Sequence, residues 1–134
     1  MSKANIIYKN NLRTEAEHIA SAQKIITDAP IDNNGKGEAF SPTDLVATAL
    51  GSCMITIMAI VAEKNGIDIS GTNASVKKEM SSNPRRISEI IVDINMGKNI
   101  DKKDRKRLEK AALACPVHKS LHPDMAKKIQ FHYL

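Results

Sequence analysis

The sequence predicts an α+β protein with its elements in the order βββ-α-ββ-α-β. Three observations carry this: short segments of period-two alternation, one long uncharged helix with explicit start and stop signals, and a second helix with a single apolar stripe. A chain of 134 residues fits a single domain, read here as residues 1–134.

Asn5 to Tyr8 and Leu12 to Ala20 read as strands joined by the turn-forming pair Asn10-Asn11. In the second strand Leu12, Thr14, Ala16, His18 and Ala20 share one face, and Arg13, Glu15, Glu17 and Ile19 share the other. Lys24 to Thr27 is a third short strand. The segment from Asp28 to Phe40 carries Pro30, Asn33-Asn34, Gly35 and Gly37 and reads as a loop.

The central helix has a capping signal at its start. Ser41 can cap, Pro42 suits the first helical position, and the Asp44 carboxylate can bond back to the cap. It stops at Gly66, the left-handed position after Lys64-Asn65. Within it, Leu45 to Ala62 is free of charge over a length close to the lower limit for a membrane span, about 17 residues. Thr48, Gly51, Ser52, Cys53, Thr56 and the absence of flanking basic clusters favour a buried core helix. Gly71 to Met80 and Arg86 to Met96 form a hairpin around Ser81-Ser82-Asn83-Pro84, with Ile90, Val92, Ile94 and Met96 on one face. Asp101 is expected to cap the next helix, in which Leu108, Ala111, Ala112 and Cys115 fall on one stripe. Pro116 breaks that helix. Ile129, Phe131 and Tyr133 alternate in a last strand.

Composition narrows the function. Two Phe, two Tyr and no Trp leave no aromatic platform for stacking bases or sugars. The net charge of +5 is concentrated in Lys98 to Lys110, where seven basic residues face three acids; a solvated helix face accounts for it without nucleic acid. The N-terminus lacks the pattern of a signal peptide. Two cysteines are too few for a disulfide scaffold, so the expected compartment is the cytoplasm, with both thiols reduced at rest.

Those cysteines are the candidate chemistry. Cys53 sits mid-helix, aligned with Leu50, Ile57 and Ile60, and taken on its own reads first as a small core hydrophobe. Burial opposes thiolate formation, so a reactive Cys53 needs a cation from another element. Cys115 lies at the Pro116 break, where a side chain can reach a cleft. Together they suit a pair in which one thiolate becomes a sulfenic acid and the other condenses with it. Cys115, His118 and His122 with Cys53 also make a partial zinc-ligand set, but without the two tight pairs such sites use. No metal and no bound cofactor are expected. Asp44 stands nine residues before Cys53, about 13.5 Å along a straight helix, so on that helix the two cannot touch. It is a capping residue, or it serves a site completed by other elements. Arg13 reads as a solvated strand arginine.

The stretch FSPTDLVATALGSCMITIMAIVAEKNG (Phe40 to Gly66), followed by ACPVHKSL (Ala114 to Leu121) and preceded by LRTEAEH (Leu12 to His18), resembles the OsmC/Ohr family of organic hydroperoxide reductases. The sequence looks closest to its OsmC-like branch. The resemblance implies an intertwined homodimer, with antiparallel sheets around two central helices. It implies Cys53 as the peroxidatic thiol and Cys115 as the resolving one, with Arg13 activating the thiolate. A family carboxylate in a Pro-Glu segment holds that arginine; here the segment reads Pro42-Thr43-Asp44, one position later and one methylene shorter. The implied activity is thiol-dependent reduction of organic hydroperoxides, regenerated by an external thiol or dithiol and protecting against oxidative stress. Apolar walls around Cys53 point to a fatty or aryl hydroperoxide. The alternative is a non-enzymatic thiol redox switch or ligand-binding dimer on the same fold. Neither nucleic acid nor membrane is expected as a partner.

Overall fold

The computed structural model describes residues 3–134 and divides into two compact units, Met1–Val46 and Ala47–Leu134. The first holds a three-stranded antiparallel sheet of β1 (Ala4–Tyr8), β2 (Arg13–His18) and β3 (Gln23–Asp28), in that order. The β1–β2 turn uses Asn10 and Asn11 at positive φ, as their short polar side chains permit, and Leu12 follows at φ +62°. The β2–β3 register places Arg13 directly opposite Asp28 and Thr14 opposite Thr27. Ile19 and Ala20 fall outside β2, which ends two residues earlier than the alternation predicts. Ile6, Ile7 and Tyr8 are 68%, 59% and 58% exposed, so this sheet presents apolar side chains on both of its faces. The loop after β3 contains a single 3-10 turn, Ile31–Asn33.

Helix α1 spans Pro42–Lys64. Its start is a reciprocal capping box: the Asp44 amide donates to Ser41 Oγ at 3.0 Å, and the Ser41 amide donates to Asp44 Oδ2 at 3.0 Å. Gly66 at φ +64° ends it, with the Ile67 amide donating back to the Ala62 carbonyl. By length and composition α1 could cross a bilayer, yet Ala47, Leu50, Gly51, Met54, Met58 and Ala62 form a buried stripe along it. A Cβ on Gly51 would come within 2.8 Å of Val76 Cγ1, so this glycine lets the helix approach the neighbouring strand closely.

The second unit contains β4 (Asn73–Ser81), β5 (Arg86–Asn95), α2 (Lys102–Leu113), α3 (Pro116–Ser120) and β6 (Ala126–His132), with sheet order β4-β5-β6. The hairpin runs as the sequence predicts, with one addition. Glu79 pairs with Glu89 and Met80 with Ile87, leaving Ser88 as a bulge that returns Ile87 to the buried face beside Ile90, Val92 and Ile94. Two expectations are corrected. The sheet is mixed, because β6 runs parallel to β5; the two-helix crossover between them returns the chain to the starting edge in the same direction. The helix after Asp101 also lacks a side-chain cap bond: Asp101 holds the N-cap position, but its backbone carbonyl, not its carboxylate, accepts from Asp104. The core of this unit is Leu50, Met54, Met58, Ile90, Val92, Ile94, Leu108 and Ala112, built from aliphatic and thioether side chains.

Candidate active site

Cys53 and Cys115 both belong to the second unit, and the fold brings them together from elements 62 positions apart. The two side chains lie within hydrogen-bonding reach of each other, and both are free thiols. Their exposures reverse the expectation from sequence. Cys53 sits beside the Leu50–Met54–Met58 stripe and is half-buried, whereas Cys115 is completely buried.

Pro116 explains the placement of Cys115. A residue before proline is driven out of the helical region, and Cys115 accordingly has φ −63° and ψ 146°. The chain therefore leaves α2 at Ala114 and restarts as α3 with Pro116 in its first position. Cys115 becomes the N-cap of α3, and its Sγ accepts from the His118 amide at 3.3 Å. The break does not carry this thiol to the surface; it turns the thiol inward as a cap. Burial pushes the Cys115 thiol up, the His118 and Val117 amides oppose this, and the adjoining Cys53 adds to it.

By its spacing from Cys115 and His122, His118 reads as a partial metal ligand or, more simply, as a histidine making an ordinary hydrogen bond. Its Nδ1 is the sole buried side-chain nitrogen or oxygen among the described residues without a hydrogen-bond partner. Burial lowers its pKa, and Lys127 and Lys119 push in the same direction, so the imidazole is neutral near pH 7. Among the described residues no three His, Cys, Asp or Glu side chains cluster as a metal site would require.

Arg13 and Asp44 lie in the first unit. Arg13 Nε donates to Asp28 Oδ1 at 2.6 Å, and its Nη2 donates to Asp28 Oδ2 at 2.8 Å and to Glu38 Oε1 at 3.3 Å. Asp28 is fully buried and also accepts from the Glu38 amide at 3.1 Å. The bond from Arg13 outweighs desolvation and holds the Asp28 carboxyl below its ordinary range, while the same bond raises the Arg13 guanidinium. Asp28 and Glu38 thus hold the guanidinium, and Asp44 is engaged with Ser41 at the start of α1. Neither Asp28 nor Glu38 was singled out from sequence. The signal for Asp28 was available in the hairpin register, since a turn between His18 and Gln23 sets Arg13 opposite it.

An α+β chain with a half-buried thiol against a wholly buried one defines a protein with a paired-thiol site. The sequence profile of the OsmC-like protein family matches residues 35–129, and the chain belongs to that family. It is 51% identical to a crystal structure from Psychrobacter arcticus 273-4 named as a "putative osmotic stress induced and detoxification response protein", covering 98% of this chain and 96% of that one at a TM-score of 0.95. The fold is shared with OsmC of Legionella pneumophila, an organic hydroperoxide resistance protein, at 15% identity, TM-score 0.79, and coverage of 98% and 96%. It is shared too with an organic hydroperoxide resistance protein of Elizabethkingia anophelis at 14% identity, TM-score 0.79, and coverage of 100% and 96%. Comparison with curated proteins gave no match.

Proposed function

We propose that this protein is a cytoplasmic thiol peroxidase that reduces organic hydroperoxides with Cys53 and Cys115. The contact between a half-buried Cys53 and a buried Cys115 carries the reading. The Cys53 thiolate attacks the terminal peroxide oxygen, the O–O bond breaks, and the alcohol departs with a proton, leaving Cys53 as a sulfenic acid. Cys115 then attacks that sulfur; the S–S bond forms and water leaves. An external thiol or dithiol restores both thiols by exchange. Arg13, held by Asp28 and Glu38, is the cation assigned to the Cys53 thiolate, and Asp44 acts by starting the helix that bears Cys53. Aliphatic surroundings favour an alkyl or aryl hydroperoxide over hydrogen peroxide.

Thiol titration and intact mass, before and after one equivalent of cumene hydroperoxide, test this. The expected result is loss of both thiols with a Cys53–Cys115 crosslink; two thiols unreacted after minutes refute it and favour a non-catalytic role for the fold. In Cys115→Ser the expected product is an oxygen-bearing Cys53 that overoxidises with excess peroxide. A single turnover ending in a clean internal disulfide elsewhere is excluded by composition, since no third cysteine exists.

We also propose a homodimer. Ile6, Ile7, Tyr8, Ile25 and Ile26 are exposed on a three-stranded sheet, more apolar surface than such a small sheet carries uncovered. A second copy of the chain supplies the cover. Sedimentation is expected to give twice the 14.7 kDa chain mass at micromolar concentration, and a stable monomer there contradicts it.

A further inference from the structure

We propose that Cys53 and Cys115, as reduced thiols, capture one soft, two-coordinate metal ion, with Cu(I) the cellular member of that class. The site needs nothing beyond the pair itself, so it stands apart from the peroxidase reading. Only its consequence, that a captured ion keeps peroxide from the thiols, rests on that reading.

The ligand count decides the class of ion. Zinc closes a site with four ligands, or with three and a water. Here no third His, Cys, Asp or Glu joins the two sulfurs among the described residues, and His118 is not part of such a set. Calcium and magnesium need still more ligands, all of them oxygen. Soft ions differ. Cu(I) selects thiolate sulfur, and two sulfurs in line satisfy it. Two free thiols, one from the middle of α1 and one from the α2–α3 junction, lie within hydrogen-bonding reach of each other and supply that set.

The surroundings of the pair fit the same ion. Cys53 is half-buried, which leaves a way in, while the fully buried Cys115 closes the other side against water. The His118 amide donates to Cys115 Sγ at 3.3 Å, and the Val117 amide also acts on that sulfur. Donors of this kind orient a metal-bound thiolate and take up part of its charge. That matters here, because capture turns two thiols and one Cu(I) into a bis-thiolate complex with a single negative charge. Two protons leave to solvent, and no electron moves. The ion is a competitor of peroxide for the sulfurs and not a group that the reaction uses. While it is held, neither sulfur is free to attack an O–O bond.

The test is an anaerobic titration of the fully reduced full chain against Cu(I) held by excess bicinchoninate, with thiol titration alongside. One Cu(I) per chain is expected, and both thiols should disappear from the thiol titration together. Zinc in place of Cu(I) is expected to leave both thiols titratable. Cys53→Ser and Cys115→Ala each keep one sulfur, and their affinity for Cu(I) is expected to fall at least about a hundredfold, since the second bond is no longer intramolecular. If Cys115→Ala loses its fold by circular dichroism, Cys53→Ser, at the half-buried position, carries the comparison. Ag(I), equally soft but without the redox cycling of copper, reads the consequence. The Ag(I)-loaded protein should show no disulfide by intact mass after one equivalent of cumene hydroperoxide. More than one Cu(I) per chain, zinc that protects both thiols, or a folded variant that binds Cu(I) within tenfold of the unmodified protein overturns the inference. A pair that ignores Cu(I) yet crosslinks with peroxide also overturns it and leaves the peroxidase reading intact. A pair that holds one Cu(I) but never reacts with peroxide supports the site and refutes the peroxidase.

Discussion

Cys53→Ser is expected to abolish hydroperoxide consumption, with a loss of at least about a thousandfold, because the hydroxyl that replaces the sulfur cannot be oxidised to a sulfenic acid. The fold should tolerate the change. Cys53 lies beside the core stripe of α1 and is only half-buried, so exchanging sulfur for oxygen opens little space among Leu50, Met54 and Met58. Cys115 should survive as a free thiol, slow to alkylate because it is buried and its thiol is pushed up. Peroxide consumption by the purified Cys53→Ser protein, followed with a dithiol reductant in excess, is the measurement. Turnover within tenfold of the unmodified protein refutes Cys53 as the peroxidatic residue.

The second large effect is expected at Asp28. Asp28→Asn keeps the shape but removes the charge that receives both arms of the Arg13 guanidinium. Arg13 then retains only the more distant and more exposed Glu38 as a charged partner. If Arg13 serves the Cys53 thiolate, a displacement of about 1 Å is enough to lower peroxidase turnover about a hundredfold. The pH dependence separates this from a general packing defect. Asp28 is held below its ordinary value of 3.8 in the folded protein, so its contribution to stability is fully present above that value. It is lost as the pH falls through the lower, folded-state pKa. The unmodified protein should therefore lose thermal stability in acid, and Asp28→Asn should start from a lower melting temperature and lose less on acidification. A variant with unchanged turnover and an unchanged acid limb contradicts the assignment.

Much of the fold is legible because local chemistry and period agree. The Ser41-Pro42-x-Asp44 capping box, the Gly66 stop and the alternation of Ile90, Val92 and Ile94 each follow from a neighbour or a two-residue repeat. The parallel β6 was not legible, because alternation reports which face is buried and not which way a strand runs. The Ser88 bulge escaped for the same reason: one extra residue changes the phase without altering the composition.

At the site, the sequence by itself determined which two atoms can do thiol–disulfide chemistry, since Cys53 and Cys115 are the only thiols in the chain. It also determined that Pro116 must interrupt the helix at Cys115, because proline constrains the residue before it. What only the tertiary structure decided is the environment of each group. Burial, and therefore the cost of a charge, depends on residues distant along the chain, which made Cys115 the enclosed thiol and Cys53 the accessible one. The same holds for Arg13, whose partner was set by strand register at Asp28 and not by nearness to the Pro42–Asp44 segment, and for His118, whose unpartnered nitrogen exists only once α3 is folded against its surroundings.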